Sequence, residues 1–344
     1  MKVLIYSDNH FCEKFSIVTK MGDKYSLRLE NQIKSLNWAE DLAYKNGCQY
    51  VICAGDFFDK PNLTQQELTA LNDVKWAPMC AHYFLVGNHE SEENDLHYSS
   101  AEALRQDRRD NFVIAEPTLF EEPGFELAFL PYITEARRQP AESYFPARKA
   151  KRLLISHNDL FGVQMGPAVS AVGFKPADLA DISDLCVNGH LHNGQWIIKD
   201  RLLNLGNLTG KDFGEDAFRY SHNAIIVDTD SMACSFVENP YALNFYKLEI
   251  NAKDDFKALS KLKSNAVLSI KCKADFLQDL RDALAALPNI IESRIVVTRE
   301  LLDSGAEADL ADLTVDQYVK FAECCRERLE NTAVLEEELA EILK

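Results

Sequence analysis

Five short apolar runs between residues 1 and 192 each end in a polar turn that carries aspartate, asparagine or histidine. They read YSDNH at 6–10, ICAGDFFD at 52–59, FLVGNHE at 84–90, LLISHND at 153–159 and CVNGHLH at 186–192. A short apolar run bounded by turn residues is typical of a strand buried on both faces, as in a parallel α/β sheet. The carboxyl ends of such strands carry the active site. The pattern therefore predicts one sheet edge rich in polar ligands.

These turns supply eight candidate site residues. Together they provide ligands for two divalent metal ions and leave one residue that can act as an acid. They are Asp8, His10, Asp56, Asn88, His89, His157, His190 and His192. Carboxylate and imidazole together favour manganese, iron or zinc, because magnesium and calcium prefer oxygen ligands alone. Residues two apart on an extended segment point to the same side, so Asp8 and His10 can reach one ion. The two oxygens of Asp56 can bridge two ions ~3.5–4 Å apart.

Glycine precedes three of the turn ligands, at positions 55, 87 and 189. A residue without a side chain lets the backbone turn sharply and approach an ion closely. Each motif alone has an ordinary interpretation, because an aspartate or histidine after a strand often lies in a surface turn. The occurrence of all five motifs in this order favours a metal site over a set of unrelated surface turns.

The composition is that of a globular protein, with 47% apolar and 26% charged residues among 344. No run approaches the ~18 apolar residues of a membrane-spanning helix, and the apolar run after Lys2 is too short for a signal peptide. We therefore expect a cytoplasmic protein with no membrane contact, whose nine scattered cysteines are reduced. The net charge of −17 argues against a simple, basic nucleic-acid-binding module.

The chain is predicted to have three parts. Residues 1–238 begin with alternating strands and helices, and the later strands follow one another without helices, which predicts an α/β sandwich of two sheets flanked by helices. Residues 239–300 read as a small α+β domain of β-α-β-α-β order, with strands at 245–250, 267–273 and 294–298. Residues 301–344 read as an acidic linker followed by a helical hairpin.

The second helix of this hairpin carries one apolar stripe, formed by Val334, Leu335, Leu339, Ile342 and Leu343. An exposed stripe on a highly charged helical hairpin is typical of a segment that docks on a partner. Packing on its own domain is the alternative.

The five motifs resemble those of the calcineurin-like metallophosphoesterases, and the resemblance spans residues 1 to about 210. It implies one metal held by Asp8, His10, Asp56 and His192, and a second held by Asp56, Asn88, His157 and His190. It also implies that His89 is the general acid and that a metal-activated hydroxide attacks phosphorus in line. Some relatives carry a histidine at the position of Asp59, so the resemblance assigns Asp59 no role.

Within this superfamily the chain looks most like the SbcD-type recombination nucleases of bacteria and phages. GDFFD followed by Pro61, GNHE, and GHLHNGQ followed by LNLGNLTG fit that branch. Residues 239–300 are similar to its DNA-capping domain, and the hairpin is similar to the segment that binds the coiled coil of an SbcC-type ATPase. The resemblance implies a DNA nuclease using two divalent ions, most simply Mn²⁺, that acts as an exonuclease on duplex ends and an endonuclease on single strands.

The same resemblance implies a homodimer, with the helix expected at 63–76 as a candidate contact through Leu68, Leu71 and Val74. The alternative function is a metallophosphoesterase that acts on cyclic nucleotides, phosphoproteins or small phosphate esters. An inactive metal-binding scaffold is a further alternative, which the intact His89 and ligand set disfavour. Lys211 and Arg219 follow the last motif, where they could meet phosphate, but a position on the solvated surface is the expectation for both.

Overall fold

The computed structural model describes residues 1–92, 95–105, 110–165 and 168–298. The linker and helical hairpin predicted at 301–344 lie outside the described residues. Among those described, no helix has the length and apolar character needed to cross a bilayer.

The described chain forms strands and α-helices that we number in chain order. The strands are β1 (Lys2–Tyr6), β2 (Tyr50–Cys53), β3 (Ala81–Leu85), β4 (Ser91–Glu92), β5 (Asp95–Ser99), β6 (Asn111–Ile114), β7 (Thr118–Glu122), β8 (Phe125–Leu130), β9 (Lys151–Ser156), β10 (Gln164–Met165), β11 (Ala168–Val169), β12 (Leu185–Asn188), β13 (Gln195–Ile198), β14 (Leu202–Asn204), β15 (Asn223–Asp228), β16 (Ala233–Glu238), β17 (Asn244–Ile250), β18 (Ala266–Lys273) and β19 (Ile290–Thr298). The α-helices are α1 (Leu27–Lys45), α2 (Gln65–Leu71), α3 (Glu102–Arg105), α4 (Pro176–Asp181) and α5 (Leu277–Ala285).

Two six-stranded sheets form the body of the fold. The first has the order β16-β15-β1-β2-β3-β6 and the second the order β13-β14-β12-β9-β8-β7. Strands β1, β2, β3 and β6 run parallel, as do β8, β9, β12 and β14. The first sheet has antiparallel strands, β15 and β16, on one side and ends in the parallel strand β6 on the other, whereas the second sheet has an antiparallel strand at each edge, β7 and β13.

Burial on both faces explains why the central strands are apolar throughout. Val3 and Ile5 point into the space between the two sheets, whereas Leu4 and Tyr6 point outward into a core shared with α1. A third core covers the outer face of the second sheet and includes Leu179 of α4. The predicted α/β sandwich of two sheets flanked by helices is confirmed.

Two details of the sequence prediction are wrong. A helix, α4, does separate β9 from β12, but its six residues give too little periodicity to be recognised in the sequence. The helix expected at 63–76 is only α2, which is capped by Thr64 and ends at Leu71. Leu71 and Val74 are buried in the chain's own core, which leaves Leu68 exposed among the three expected contact residues.

A third, smaller sheet has the order β17-β18-β19, with all three strands parallel. With α5 and a 3-10 helix at Lys253–Lys261, it encloses its own core of residues such as Leu248, Ile270 and Leu280. The strands predicted between 245 and 298 are confirmed as β17, β18 and β19. A short additional core, formed by Val18, Leu243, Phe245 and Val267, connects this sheet to the loop after β1.

Candidate metal centre

The eight candidate site residues follow five parallel strands of the two sheets. Asp8 and His10 follow β1, Asp56 follows β2, Asn88 and His89 follow β3, His157 follows β9, and His190 and His192 follow β12. The carboxyl ends of parallel strands share one edge, and both sheets present that edge to the same place. The structure therefore brings all eight residues into one connected cluster.

One half of this cluster is formed by Asp8, His10 and His192. The Nε2 atoms of the two histidines face each other at 3.1 Å, and Oδ1 of Asp8 lies 3.9 Å from Nε2 of His10. Ligand atoms of these three residues all lie within 4.8 Å of one another. Two nitrogens bound to one ion at ~2.1 Å come about this close, so the spacing fits a shared cation.

The other half is formed by Asp56, His157, His190 and Asn88. Oδ2 of Asp56 lies 3.2 Å from Nε2 of His157, and Nδ1 of His190 lies 2.9 Å from Oδ1 of Asn88. The same Oδ2 atom lies 4.0 Å from Nε2 of His10 in the first half. Asp56 thus stands between the two halves, where a bridging carboxylate belongs.

Each of the four clustered imidazoles has one nitrogen held by an oxygen outside the cluster. Nδ1 of His157 donates to the carbonyl of Ala54 at 2.8 Å, which leaves Nε2 as the lone-pair nitrogen. The other anchors are carboxylates: Asp59 for Nδ1 of His10 at 3.1 Å, Asp159 for Nε2 of His190 at 3.0 Å and Glu215 for Nδ1 of His192 at 3.5 Å. Metal-binding histidines are oriented in this way, so the residues present fit a two-cation site.

Electrostatics support the same conclusion. Burial lowers the pKa of His10 to about 4 and that of His192 to about 3, so both rings are neutral at pH 7, as metal ligands must be. Burial also disfavours charge on His157, but the neighbouring Asp56 outweighs this and raises the pKa of His157 to about 9. The Asp56 carboxylate therefore requires a positive charge beside it, which a proton or a metal ion can supply.

Four of the candidate residues have a left-handed backbone, which costs energy for any residue except glycine. The φ angles are 51° at Asp8, 48° at His10, 49° at Asp56 and 75° at His190. Outliers of this kind cluster at functional sites, because the fold holds them there to direct side chains. Backbone hydrogen bonds from Asp8 to the Gly55 carbonyl and from His10 to the Asp56 carbonyl, both 3.0 Å, hold the first two in place.

The glycines before the ligands are required by close contacts. A Cβ atom at Gly87 would lie 2.1 Å from Oδ1 of Asp56, and one at Gly189 would lie 2.2 Å from Oγ of Ser7. At Gly55, where φ is +103°, a Cβ would lie 2.0 Å from Nδ1 of His157. These glycines are therefore required by contacts with side chains of the centre, and the close approach of the backbone to an ion stays a prediction.

Lys211 was expected on the surface, and that prediction is wrong. Its side chain is only 12% exposed, and its ammonium lies 3.3 Å from Nε2 of both His10 and His89. Asp59 completes this group with Oδ1 3.4 Å from the same ammonium. Burial opposes ionisation of Asp59, but its hydrogen bond to His10 and the nearby charges of His10 and Lys211 hold its pKa well below the usual range.

Two further carboxylates near the centre were not identified from the sequence. Glu90 lies beneath the site and accepts from the backbone amides of Gly87 and Phe58, and burial raises its pKa to about 8. Burial likewise raises the pKa of Glu215 to about 8. Glu90 directly follows the GNH motif and Glu215 follows Lys211 by four residues, but nothing in either segment distinguishes a buried glutamate from a surface one.

The remaining three histidines lie outside the metal cluster. His82 is buried with Nε2 2.9 Å from Glu40, His222 is buried with Nδ1 3.1 Å from the Asn207 carbonyl, and His97 is exposed beside Glu116. Arg219 is exposed, in agreement with its expected surface position.

Comparison with solved structures finds matches at low sequence identity and with TM-scores below 0.5. The protein TT1561 of Thermus thermophilus is 10% identical, with 69% of this chain and 98% of that chain covered and a TM-score of 0.41. A dimetal phosphatase from Danio rerio is 12% identical, with coverages of 70% and 99% and a TM-score of 0.38. The calcineurin-like phosphoesterase YfkN from Bacillus subtilis is 11% identical, with coverages of 69% and 88% and a TM-score of 0.40.

Sequence comparison identifies the family. None of the curated protein sequences compared with this chain gives a significant match. The family model described as calcineurin-like phosphoesterase matches residues 1–194, which include every candidate site residue and more than half of the chain. The chain therefore belongs to the calcineurin-like phosphoesterases, a family that hydrolyses phosphoesters with two divalent metal ions.

Proposed function

We propose that this phosphoesterase is a DNA nuclease, the SbcD-type subunit of an SbcCD-like complex. It would cut duplex ends as an exonuclease and single strands as an endonuclease. The observation that carries this proposal is the third sheet, which is built onto two loops that border the metal centre. A small phosphate ester needs contacts only around its phosphorus, whereas a polymer can use a second surface beside the site.

Specific contacts tie the third sheet to both loops. On one side, the amide of Leu243, just before β17, donates to the Thr209 carbonyl at 3.0 Å, two residues from Lys211. On the other, Glu292 of β19 accepts from the amide of Thr19, and Arg294 donates to the Ile17 carbonyl at 2.6 Å. The loop that contains Ile17 and Thr19 begins directly after His10. Each of the two loops therefore contacts the third sheet and also borders the metal centre.

The proposal extends to cofactor, location and partners. Mn²⁺ suits the mixed nitrogen and oxygen donors of the centre. A coiled-coil ATPase of the SbcC type would bind the hairpin predicted at 301–344, and a homodimer would place two nuclease sites on one complex. Such a complex would work in the cytoplasm of a bacterium or of a phage-infected host, where DNA ends are processed.

The two halves of the cluster support the ligand sets that the family resemblance implies. One cation would be held by Asp8, His10, Asp56 and His192, and the other by Asp56, Asn88, His157 and His190. When bound, two such cations lower the pKa of a water molecule and neutralise charge on the phosphoryl oxygens.

His89 is placed to serve the leaving group. Its backbone amide donates to Oδ1 of Asp56 at 3.0 Å, which fixes it beside the bridging carboxylate. Its Nδ1 lies 3.2 Å from the Asp59 carbonyl and donates to it, so the ring has a defined orientation and Nε2 points into the site. In the protonated ring, Nε2 carries the proton that passes to the departing oxygen.

Three substrates test the proposal with the Mn²⁺-loaded protein: labelled DNA, bis-p-nitrophenyl phosphate and p-nitrophenyl phosphate. We expect cleavage of DNA and of the diester, with little release from the monoester. Asp56→Asn protein, purified in parallel, controls for contaminating nucleases. Efficient hydrolysis of the monoester with intact DNA would contradict a nuclease and would favour the phosphatase alternative.

A further inference from the structure

Lys211 places a positive charge inside the metal centre, and the family motifs do not include it. The nitrogen of its ammonium lies near three side-chain atoms: Nε2 of His10 at 3.3 Å, Nε2 of His89 at 3.3 Å and Oδ1 of Asp59 at 3.4 Å. We infer that Lys211 is a catalytic residue that binds a non-bridging oxygen of the scissile phosphate. This inference rests on the proposed phosphodiester hydrolysis and assigns a further residue to the same site.

The backbone of Lys211 is fixed more firmly than a surface loop requires. Its amide donates to Oε1 of Glu215 at 2.9 Å, and its carbonyl accepts from Nη1 of Arg28 at 2.7 Å. Arg28 is buried, and the Glu215 side chain is almost fully enclosed. The preceding Gly210 has a φ of +72°, and a Cβ there would lie 2.0 Å from the Leu243 carbonyl. The enclosed side chains of Arg28 and Glu215 and a required glycine thus hold the backbone of this lysine in position.

Glu215 also connects Lys211 to the metal ligands. The carboxylate that accepts from the Lys211 amide lies 3.5 Å from Nδ1 of His192. The backbone of Lys211 is therefore held by the same carboxyl group that lies beside one of the imidazoles. A lysine that only neutralised the charge of Asp59 would not need a backbone held by a group that also contacts His192.

The hydrogen-bonding capacity of the ammonium gives it a free donor when the site is loaded. A lysine has three donors and no acceptor, and here each donor faces one group. When the Nε2 lone pair of His10 binds a cation, it no longer accepts from Lys211. One N–H is then left for another acceptor. When the His89 ring is protonated, its Nε2 likewise no longer accepts from Lys211, and a phosphoryl oxygen that contacts this Nε2 lies beside the ammonium, because the two nitrogens are 3.3 Å apart.

Asp59 is the positioning residue for this lysine. Its side chain is 11% exposed and contacts His10, Lys211 and Lys14, while its carbonyl accepts from Nδ1 of His89. Lys14 is the matched control for Lys211, because its ammonium contacts the same carboxylate at 3.3 Å. Lys14 is 39% exposed, however, and no contact joins it to His89 among the described residues.

The test compares Lys211→Met and Lys211→Arg with Lys14→Met in the full-length, Mn²⁺-loaded protein. Three quantities are measured: bound manganese by mass spectrometry, the affinity for inorganic phosphate by calorimetry, and kcat and KM for bis-p-nitrophenyl phosphate. We expect Lys211→Met to retain both ions, to bind phosphate roughly 10- to 100-fold more weakly, and to lower kcat/KM by a similar factor, as for the loss of one charge-assisted hydrogen bond. Lys211→Arg should recover part of both losses, and Lys14→Met should stay within about threefold of the wild type.

The outcomes separate this inference from the proposed function. Unchanged phosphate affinity in Lys211→Met would overturn the inference, and loss of manganese would also overturn it, by showing a structural role. An equal loss in Lys14→Met would mean that general charge, rather than contact with the phosphate, is responsible. A wild-type protein that binds phosphate through Lys211 but leaves DNA and the diester intact would instead contradict the nuclease proposal.

Discussion

Substituting Gly189 by alanine should remove the metal centre while leaving the fold in place. Gly189 joins β12 to His190, and an added Cβ would lie 2.2 Å from Oγ of Ser7, 2.4 Å from the Ala54 carbonyl oxygen and 2.8 Å from Nδ1 of His157. The Ala54 carbonyl is also the acceptor that orients the His157 ring at 2.8 Å. None of the three atoms is the far end of a flexible side chain, so the strand ends themselves must separate.

The expected magnitudes differ for stability and for metal binding. Overpacking one methyl group typically costs about 1–3 kcal/mol, which lowers the melting temperature of a chain this long by only a few degrees. The displaced His157 and His190 lose their orienting contacts, which should weaken metal binding about 10- to 100-fold. The variant should therefore fold, yet hold less metal than the wild type after dialysis against limiting Mn²⁺.

The assay combines metal analysis by mass spectrometry, thermal melting and hydrolysis of bis-p-nitrophenyl phosphate. Gly124→Ala is the control, because Gly124 has a φ of +88° between β7 and β8 and a Cβ there would meet nothing within 4 Å. It should cost about 1–2 kcal/mol of backbone strain with full metal content and activity. Wild-type metal content and activity in Gly189→Ala would refute the reasoning, because the strand ends would then accommodate the added methyl group without displacing His157 and His190.

Four other expectations can be tested independently. Asp56→Asn should lower the occupancy of both cations and abolish activity, and two tightly held ions in an active variant would contradict a bridging role. His89→Gln should keep both ions but lose about 10²–10⁴-fold in rate, whereas loss of metal would make His89 a ligand. Glu126→Ala should cost about 3–5 kcal/mol in urea unfolding, because it leaves the buried Arg152 guanidinium without its partner at 2.7 Å. Hydrogen bonds from the Lys149 amide and Arg152 outweigh burial and lower the pKa of Glu126, so its ionised form contributes stability above the unfolded pKa. This contribution is lost as pH falls through the folded pKa, so the difference between wild type and variant should begin to shrink near about pH 4. Deleting residues 310–344 should abolish co-purification with an SbcC-type ATPase while single-strand cleavage persists, and undiminished capture would show that the hairpin packs on its own domain.

The central strands could be predicted from the sequence because burial on both faces makes them continuously apolar. Edge strands lack this signal. β7 and β16 are partly exposed along their length, and neither was predicted. Their place in the fold is set by pairing with β8 and β15, which is a tertiary property.

The candidate ligands could be predicted because each follows its own strand within a few residues. Lys211 could be named only as an alternative phosphate contact, because it reaches the centre from a loop whose course depends on contacts with Arg28, Glu215 and the third sheet. Asp59 stood within a recognised motif, but its role depends on which cations come near it. Residue type and spacing therefore identify site residues that follow strand ends. Site residues that reach the centre through long-range packing can be identified only from the structure.

The strained backbone links the stability of the fold to the geometry of the metal centre. Left-handed conformations at Asp8, His10, Asp56 and His190 cost about 1–3 kcal/mol each, which together approaches the net stability of a typical domain. The amide of His190 donates to both carboxylate oxygens of Asp8, at 3.1 and 3.0 Å, and so joins the first sheet to the second across the site. Because this bond connects two strained residues that are also candidate ligands, the sheets cannot slide apart without disrupting the site. The same carboxylate thus holds the sandwich together at its functional edge and helps to form the cation site there.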